Sequence, residues 1–216
     1  MSTAEQTISD APSFREFRAL RDAASNSVGE KFQLESEFLL IVIGVLGLRP
    51  GEAAHISREW VDFKKESIQV PKHDPCTGGN DGDICGYCRK RAKSAVNHNE
   101  GLTLEEAKES RWQPKNEQSA REISFDWLDE EKDIIRDYFD ENDKYPRSRA
   151  SINRRVDRIA KASEIIDKDD VYPEALRSHA AIRLANRGMG AINLRKFLGF
   201  DGYSTAINVL EHVSEG

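Results

Sequence analysis

The sequence predicts a mainly α-helical domain carrying a small antiparallel β-sheet. Three observations lead there. Helical periodicity dominates both ends of the chain, with apolar residues three and four apart. Short extended segments occur only in the middle, at 60–63, 67–70 and 121–125. A polar, glycine-rich stretch at 72–100 interrupts that sheet without any periodicity of its own. A chain of 216 residues with 38% hydrophobic residues suits one ordinary domain.

Residues 1–12 are polar, contain Pro12 and read as a disordered tail. Ser13-x-x-Glu16 is a capping-box pattern, so a helix should run from 13 to about 25, with Phe17 and Leu20 inward. Leu34 to Leu46 is apolar almost all round, which places a helix at the centre of the core. Gly47-Leu48-Arg49 breaks it, and Pro50 suits the first position of a new short helix. Strands at 60–63 and 67–70 flank a Lys64-Lys65-Glu66 turn, and 121–125 alternates as a third strand. From 127 onward the pattern is helical, at roughly 127–140, 148–162, 173–187, 190–198 and 203–213. The domain therefore spans 13–216, with an insertion at 72–100.

The net charge of -6 hides strong segregation. Residues 122–143 carry ten acidic side chains against Lys132 and Arg136. Residues 144–161 carry seven basic ones against Asp157, Arg154, Arg155 and Arg158 among them. An acidic protein can therefore present a basic face. The longest apolar run, Phe38 to Leu48, has eleven residues, where a membrane-spanning helix needs about 20. The first residues show no basic start leading into an apolar stretch, so a cytoplasmic protein without membrane association is the expectation.

Three cysteines, all between 76 and 88, are too few and too clustered for a disulfide framework. His73, Cys76, Cys85 and Cys88 follow the spacing H-x2-C-x8-C-x2-C. Two ligand pairs, each two residues apart, suit a tetrahedral Zn2+ site, and four protein ligands leave no open position, so its role is structural. Glycines 78, 79, 82 and 86 supply tight turns, while the segment lacks a core of its own, so metal would supply its folding energy. His98 and Asp74 are alternatives to His73 as the fourth ligand.

Four segments, in order, carry a family resemblance. Leu46-Gly47-Leu48-Arg49-Pro50-Gly51-Glu52-Ala53 resembles the first arginine motif of the tyrosine recombinases, the phage-integrase family. Trp112 to Ile123, around Lys115, is similar to the family's β-hairpin lysine segment. Leu176-Arg177-Ser178-His179-Ala180-Ala181 resembles the second arginine motif, and Phe197-Leu198-Gly199-Phe200 with Ser204-Thr205-Ala206 resembles the C-terminal region. Together they cover about residues 34–213. The whole resembles a Xer-like catalytic domain, and the cysteine insertion is more loosely similar to integrase-like proteins of halophilic archaea.

The resemblance implies the fold and double-stranded DNA as partner, with self-association on that DNA as a further expectation. It also implies roles. Arg49 and Arg177 would bind the non-bridging oxygens of a phosphodiester and stabilise charge in the transition state. Lys115 would be the general acid toward the leaving oxygen, and Glu52 would orient Arg49. The family's remaining positions are changed. Glu174 stands where a histidine precedes the second arginine, Phe200 where a histidine or tryptophan donates, and Val209 where the tyrosine attacks. The expectation is a DNA-binding, regulatory protein with the chemistry lost. The alternatives are an active recombinase with a displaced nucleophile such as Tyr203, and a protein-interaction module derived from an integrase.

Overall fold

The structure is a computed structural model that describes residues 4–76, 78–79, 83–109, 112–164 and 171–215. Its first helix, α1 (Ala4–Ser9), corrects the expectation of a disordered tail for residues 4–12. Ile8 is buried against the helices Pro173–Asn186 and Ser204–Glu215. Asp10 accepts from the Tyr172 hydroxyl at 2.6 Å, and the Pro12 carbonyl meets His179 Nδ1 at 2.7 Å. One apolar side chain and two hydrogen bonds tie this polar-looking segment to the helical core.

Helix α2 (Phe14–Asn26) begins with the anticipated reciprocal cap: Glu16 N donates to Ser13 Oγ, and Ser13 N to Glu16 Oε2 at 2.7 Å. Helix α3 (Gln33–Gly44) is buried at every position from Phe38 onward. It is packed by α2, by α7 (Glu131–Glu141), by α8 (Arg149–Ser163) and by α9 (Pro173–Asn186). A helix enclosed on all sides has no polar stripe, which is the pattern its sequence shows.

Gly47 follows with φ +71°, and an added Cβ would lie 2.2 Å from Leu198 Cδ2. Only glycine permits that turn at that distance. The chain then enters α4 (Pro50–Ala53), with Pro50 at its first position. Strands β1 (Val61–Asp62), β2 (Ser67–Val70) and β3 (Arg121–Ser124) form an antiparallel sheet in that order, with Ile68 opposite Ile123 and Val70 opposite Arg121.

The segment between β2 and β3 is more ordered than its composition suggests. Its 86–98 portion forms α5 (Gly86–His98), capped where Cys85 Sγ accepts from Cys88 N. A second helix, α6 (Leu104–Glu109), packs on α5, so the inserted unit extends past residue 100. Gly82 lies outside the described residues. Helices α10 (Ala191–Leu198) and α11 (Ser204–Glu215) complete the chain. They build a second apolar cluster with α1 and α9, containing Ile8, Ala181, Leu184, Leu198, Phe200 and Val209.

Candidate phosphate pocket and metal centre

Two adjoining hollows of about 300 and 430 Å³ share Arg49, Lys115, Glu174 and Arg177 in their linings. The sequence separates these residues by up to 128 positions; the fold brings them to one place.

The end of α10 explains how. Its last carbonyls have no partner within the helix, and each of three takes an arginine. Arg121 Nε donates to Phe197 O at 2.6 Å, Arg177 Nη2 to Leu198 O, and Arg49 Nη2 to Gly199 O. The negative end of the helix dipole favours this choice of cation. Arg177 Nε also donates to the Gly47 carbonyl at 2.8 Å. The tight glycine turns at 47 and 199 thus aim carbonyls at the two arginines.

Glu52 completes the frame. It is 1% exposed and accepts from Arg49 N and Arg49 Nη1, both at 2.9 Å. It also accepts from Arg121 Nη1 and Nη2, both at 3.1 Å. Burial alone would raise its carboxyl, but the Arg121 and Arg49 guanidinium groups outweigh it and hold the group below its ordinary value. Glu52 therefore orients Arg49, as the resemblance implied. Arg121 is an addition that sequence reasoning missed. Its signal was weak: an arginine opening an alternating strand, on the face that turns inward.

Burial first, and then the Arg49 charge, push Arg177 well below the usual guanidinium range. Burial also lowers Arg49, with Arg121 adding to it against the pull of Glu52. Three guanidinium groups crowd one buried carboxylate, and Asp201, which lines the second hollow and favours the Arg49 charge, offsets them only in part. A guanidinium carries five N–H donors. The bonds above occupy Nη1 and Nη2 of Arg49 and Nε and Nη2 of Arg177, so donors remain for a ligand. Lys115 is exposed on the rim.

The altered positions are also at the pocket. Glu174 lines it, but its Oε1 is held at 2.6 Å by Arg149 Nη2, which lines the first hollow too. Its charge is thus paired rather than left bare beside the two arginines. Phe200 lies beneath Arg177, with the guanidinium 5.1 Å from the ring centre. Val209 is 1% exposed and lines the second hollow. Tyr203 lies outside both linings, 48% exposed, with the Arg195 guanidinium 4.9 Å from its ring centre.

The basic stretch on α8 needs one correction. Arg154 and Arg158 are exposed. Arg155, expected to face DNA with them, is buried: Nη2 donates to Glu35 Oε2 at 2.8 Å, and the guanidinium sits 4.1 Å from the Phe32 ring centre. Around the helix Arg155 lies about 100° from Arg154 and about 60° from Arg158, which sets it at the edge of the buried face, where Glu35 receives it.

The second centre lies beside the first. Cys76, Cys85 and Cys88 converge as their spacing predicts, yet the fourth group is His55. Its Nε2 lies 3.4, 3.5 and 3.5 Å from the three sulfurs, and all four ligand atoms fall within 4.8 Å of one another. A tetrahedral ion with Zn–S about 2.3 Å and Zn–N about 2.0–2.1 Å would set each N···S edge near 3.6 Å. One N–H cannot point at three sulfurs, whereas one metal ion can. The set fits.

His73, expected as the fourth ligand, is instead exposed. Asp74 is engaged in a backbone bridge with Trp112, and His98 Nδ1 meets the Ser94 carbonyl. Local spacing favoured His73, while the fold brings a histidine from 21 residues upstream. Nothing in the local sequence around His55 marks it as a ligand. His55 Nδ1 meets the Gly51 carbonyl at 2.8 Å, which fixes the tautomer and aims Nε2 at the sulfurs.

Comparison with known proteins agrees with this geometry. The sequence matches the phage integrase family over residues 13–215. No curated protein matches it. Among solved structures it is similar to the integrase of transposon Tn1549 in complex with a circular intermediate DNA, at 15% identity and TM-score 0.62, covering 92% of this chain and 60% of that one. It is similar to the same integrase with transposon right end DNA, at 16% and TM-score 0.59, covering 95% and 64%. A third similar structure is XerA recombinase, at 17% and TM-score 0.50, covering 93% and 59%. The chain thus spans less than two thirds of those proteins. With the family matched across nearly its whole length, the chain belongs to the phage integrase family.

Proposed function

We propose that the protein binds double-stranded DNA through the arginine pocket, holds a backbone phosphate there, and does not cleave it. One observation carries this: Arg49, Lys115 and Arg177 meet at one cavity whose buried carboxylate is already engaged, leaving positive charge for a phosphate to balance. The similarity to integrases solved with DNA supports the partner. Arg154 and Arg158 add exposed charge along α8 for further backbone contacts. Val209 and Phe200 supply neither nucleophile nor donor, so the role is regulatory: a family member that occupies DNA, self-associating there, without exchanging strands. The metal is Zn2+, closed by four protein ligands and structural, in a cytoplasmic protein whose thiols stay reduced. No helix among the described residues is long and apolar enough to cross a membrane.

Duplex affinity measured by fluorescence anisotropy across a salt series tests the reading. Affinity should fall steeply with salt as phosphate contacts displace counterions. Lys115→Gln is the discriminating variant because its exposed side chain supports no core contact; it should weaken binding about three- to tenfold. Absence of binding at low salt refutes the reading.

One observation favours a second reading, an active strand-cleaving enzyme. Tyr87, 40% exposed at the start of α5, lines the same hollow as Arg49, Lys115 and Arg177. Its phenolic oxygen would form the bond to phosphorus and lose its proton to water, while the 5′-oxygen leaves with a proton from Lys115. A covalent protein–DNA band on a nicked duplex, abolished by Tyr87→Phe, would establish it; no band supports the silent form.

A further inference from the structure

We propose that metal loading assembles the phosphate pocket: the ion at His55, Cys76, Cys85 and Cys88 fastens the inserted unit to α4 and thereby sets DNA affinity. The proposal rests on the DNA-binding reading above and adds its control.

The ligands come from two separate parts of the chain. The three cysteines belong to the insertion, whereas His55 belongs to the core, immediately after α4. A metal held only by the insertion would stabilise that insertion alone. A metal that also takes His55 is a bolt between two bodies. Each body carries one wall of the pocket.

On the core side, His55 Nδ1 meets the Gly51 carbonyl, and Gly51 lies between Arg49 and Glu52. Gly51 itself lines the first hollow. On the insertion side, Tyr87 sits between the ligands Cys85 and Cys88 and lines the same hollow. Helix α5, which begins at those ligands, sends Arg91 Nη1 to the Gln113 carbonyl at 2.9 Å. Trp112 stacks on the His55 ring, 5.0 Å between centres and 19° between planes, and exchanges two backbone hydrogen bonds with Asp74. Gln113 and Pro114 then lead directly to Lys115.

The outer wall, Tyr87 and Trp112 to Lys115, is therefore held at three points: the Trp112–His55 stack to the core, and the Trp112–Asp74 bridge and the Arg91–Gln113 bond to the inserted segment. Without the ion, the insertion keeps only a small apolar contact: within α5 Cys88 and Ala92 are buried, with Ile84 and Ala107 outside that helix. Two of the wall's three anchors, Asp74 and Arg91, lie on that segment. The inner wall keeps its own anchors, because Arg49, Arg121 and Arg177 rest on Glu52 and on α10. Removing the metal should thus leave two arginines in place and release Lys115 and Tyr87.

The test uses full-length protein, reduced, with one equivalent of Zn2+ or stripped by a chelator. Metal analysis should give one zinc per chain, and Co2+ in its place should show a thiolate-to-metal absorption band that His55→Ala weakens. Far-UV circular dichroism reports the helical core. Duplex affinity should fall at least tenfold on stripping and return on adding Zn2+, with most helical signal retained. Equal affinity with and without metal overturns the proposal while leaving DNA binding intact; a zinc-loaded protein that fails to bind duplex overturns the DNA reading itself. If stripping unfolds the core, Arg91→Ala in the zinc-loaded protein decides. It keeps all four ligands and cuts one tether of the outer wall. A threefold or greater loss of affinity supports the assembly role, and unchanged affinity refutes it.

Discussion

On one side of the central cavity, Arg49 and Arg177 rest on the carbonyls of α10 and on buried Glu52; on the other, Ile8, Phe200 and Val209 pack as hydrocarbon. The first side is polar and over-determined. Every arginine has at least two fixed partners, and each partner is itself fixed by a turn or a helix end. The second side is ordinary core, closed by a short N-terminal helix that brings Ile8 onto α11. A polar frame of this kind cannot lose one member cheaply, since the remainder is left charged and buried. An apolar wall can exchange a tyrosine for a valine and still be filled by its neighbours. If the proposed reading holds, the contrast accounts for a fold that holds a phosphate while position 209 serves as packing.

The largest effect expected from breaking the polar side is on stability. Glu52→Gln keeps the volume and removes the charge that Arg121, 7% exposed, and Arg49 both require. Leaving buried charges without their partner costs about 3–5 kcal/mol. Urea unfolding should show a loss of that size with unchanged slope. A loss below about 1 kcal/mol would mean that the arginines are held by the α10 carbonyls alone.

The apolar side has its own weak point, at the link that secures its cover. His179 is 1% exposed, stacks on Phe17 at 4.2 Å and meets the Pro12 carbonyl through Nδ1. Its Nε2 is buried without a partner among the described residues. Burial is the main reason its pKa is lowered from 6.5 to about 4. The unfolded chain therefore takes up the proton first. Stability is complete above about pH 6.5 and falls as pH drops toward 4, by about 3 kcal/mol at 1.36 kcal/mol per unit. His179→Phe should flatten this part of the pH–stability curve. A wild-type curve already flat between pH 4 and 6.5 would show that the histidine charges without cost.

Much of this architecture was legible because it follows from local pattern. The Ser13–Glu16 cap, the apolar run that ends α3, the Pro50 restart and the alternation at 121–124 each read directly from neighbouring residues. The arginine pair, Lys115 and Glu52 were legible through motif order. What escaped was long-range. Arg155 and His55 are placed by contacts with Glu35 and with Cys76, 120 and 21 residues away in sequence. The order in residues 4–12 depends on helices 160 residues downstream, as the Tyr172–Asp10 bond shows. Spacing rules rank ligands that are near in the chain, so His73 outranked a histidine that only the fold could deliver. Arg149 escaped for the same reason, since nothing local says that it would neutralise Glu174.

The smallest effect expected is from placing a phenol oxygen at position 209. Val209 lines the second hollow, so the ring of Val209→Tyr can enter that space of about 430 Å³ rather than force the core apart. Overpacking costs about 1–3 kcal/mol where no room exists, so the cost here should lie at the low end. The phenol would then stand on the same cavity as Arg49 and Arg177. Even so, the single variant should form no covalent adduct with a nicked duplex. Phe200 still offers no donor to a phosphate oxygen, and losing one such donor typically costs on the order of 10²–10³ in rate. Glu174 is tied to Arg149 and donates nothing either. The triple change Val209→Tyr, Glu174→His and Phe200→His restores oxygen and both donors, and should give a detectable adduct. An adduct from Val209→Tyr alone would show that the two arginines and Lys115 suffice for the chemistry, and that the apolar wall differs from a working one by a single side chain. An adduct from the unmodified protein would instead direct attention to Tyr87. If the triple variant binds duplex yet stays inert, the packing of α1 against α11 has moved position 209 out of line with the arginines, and removal of residues 1–9 becomes the decisive change to make.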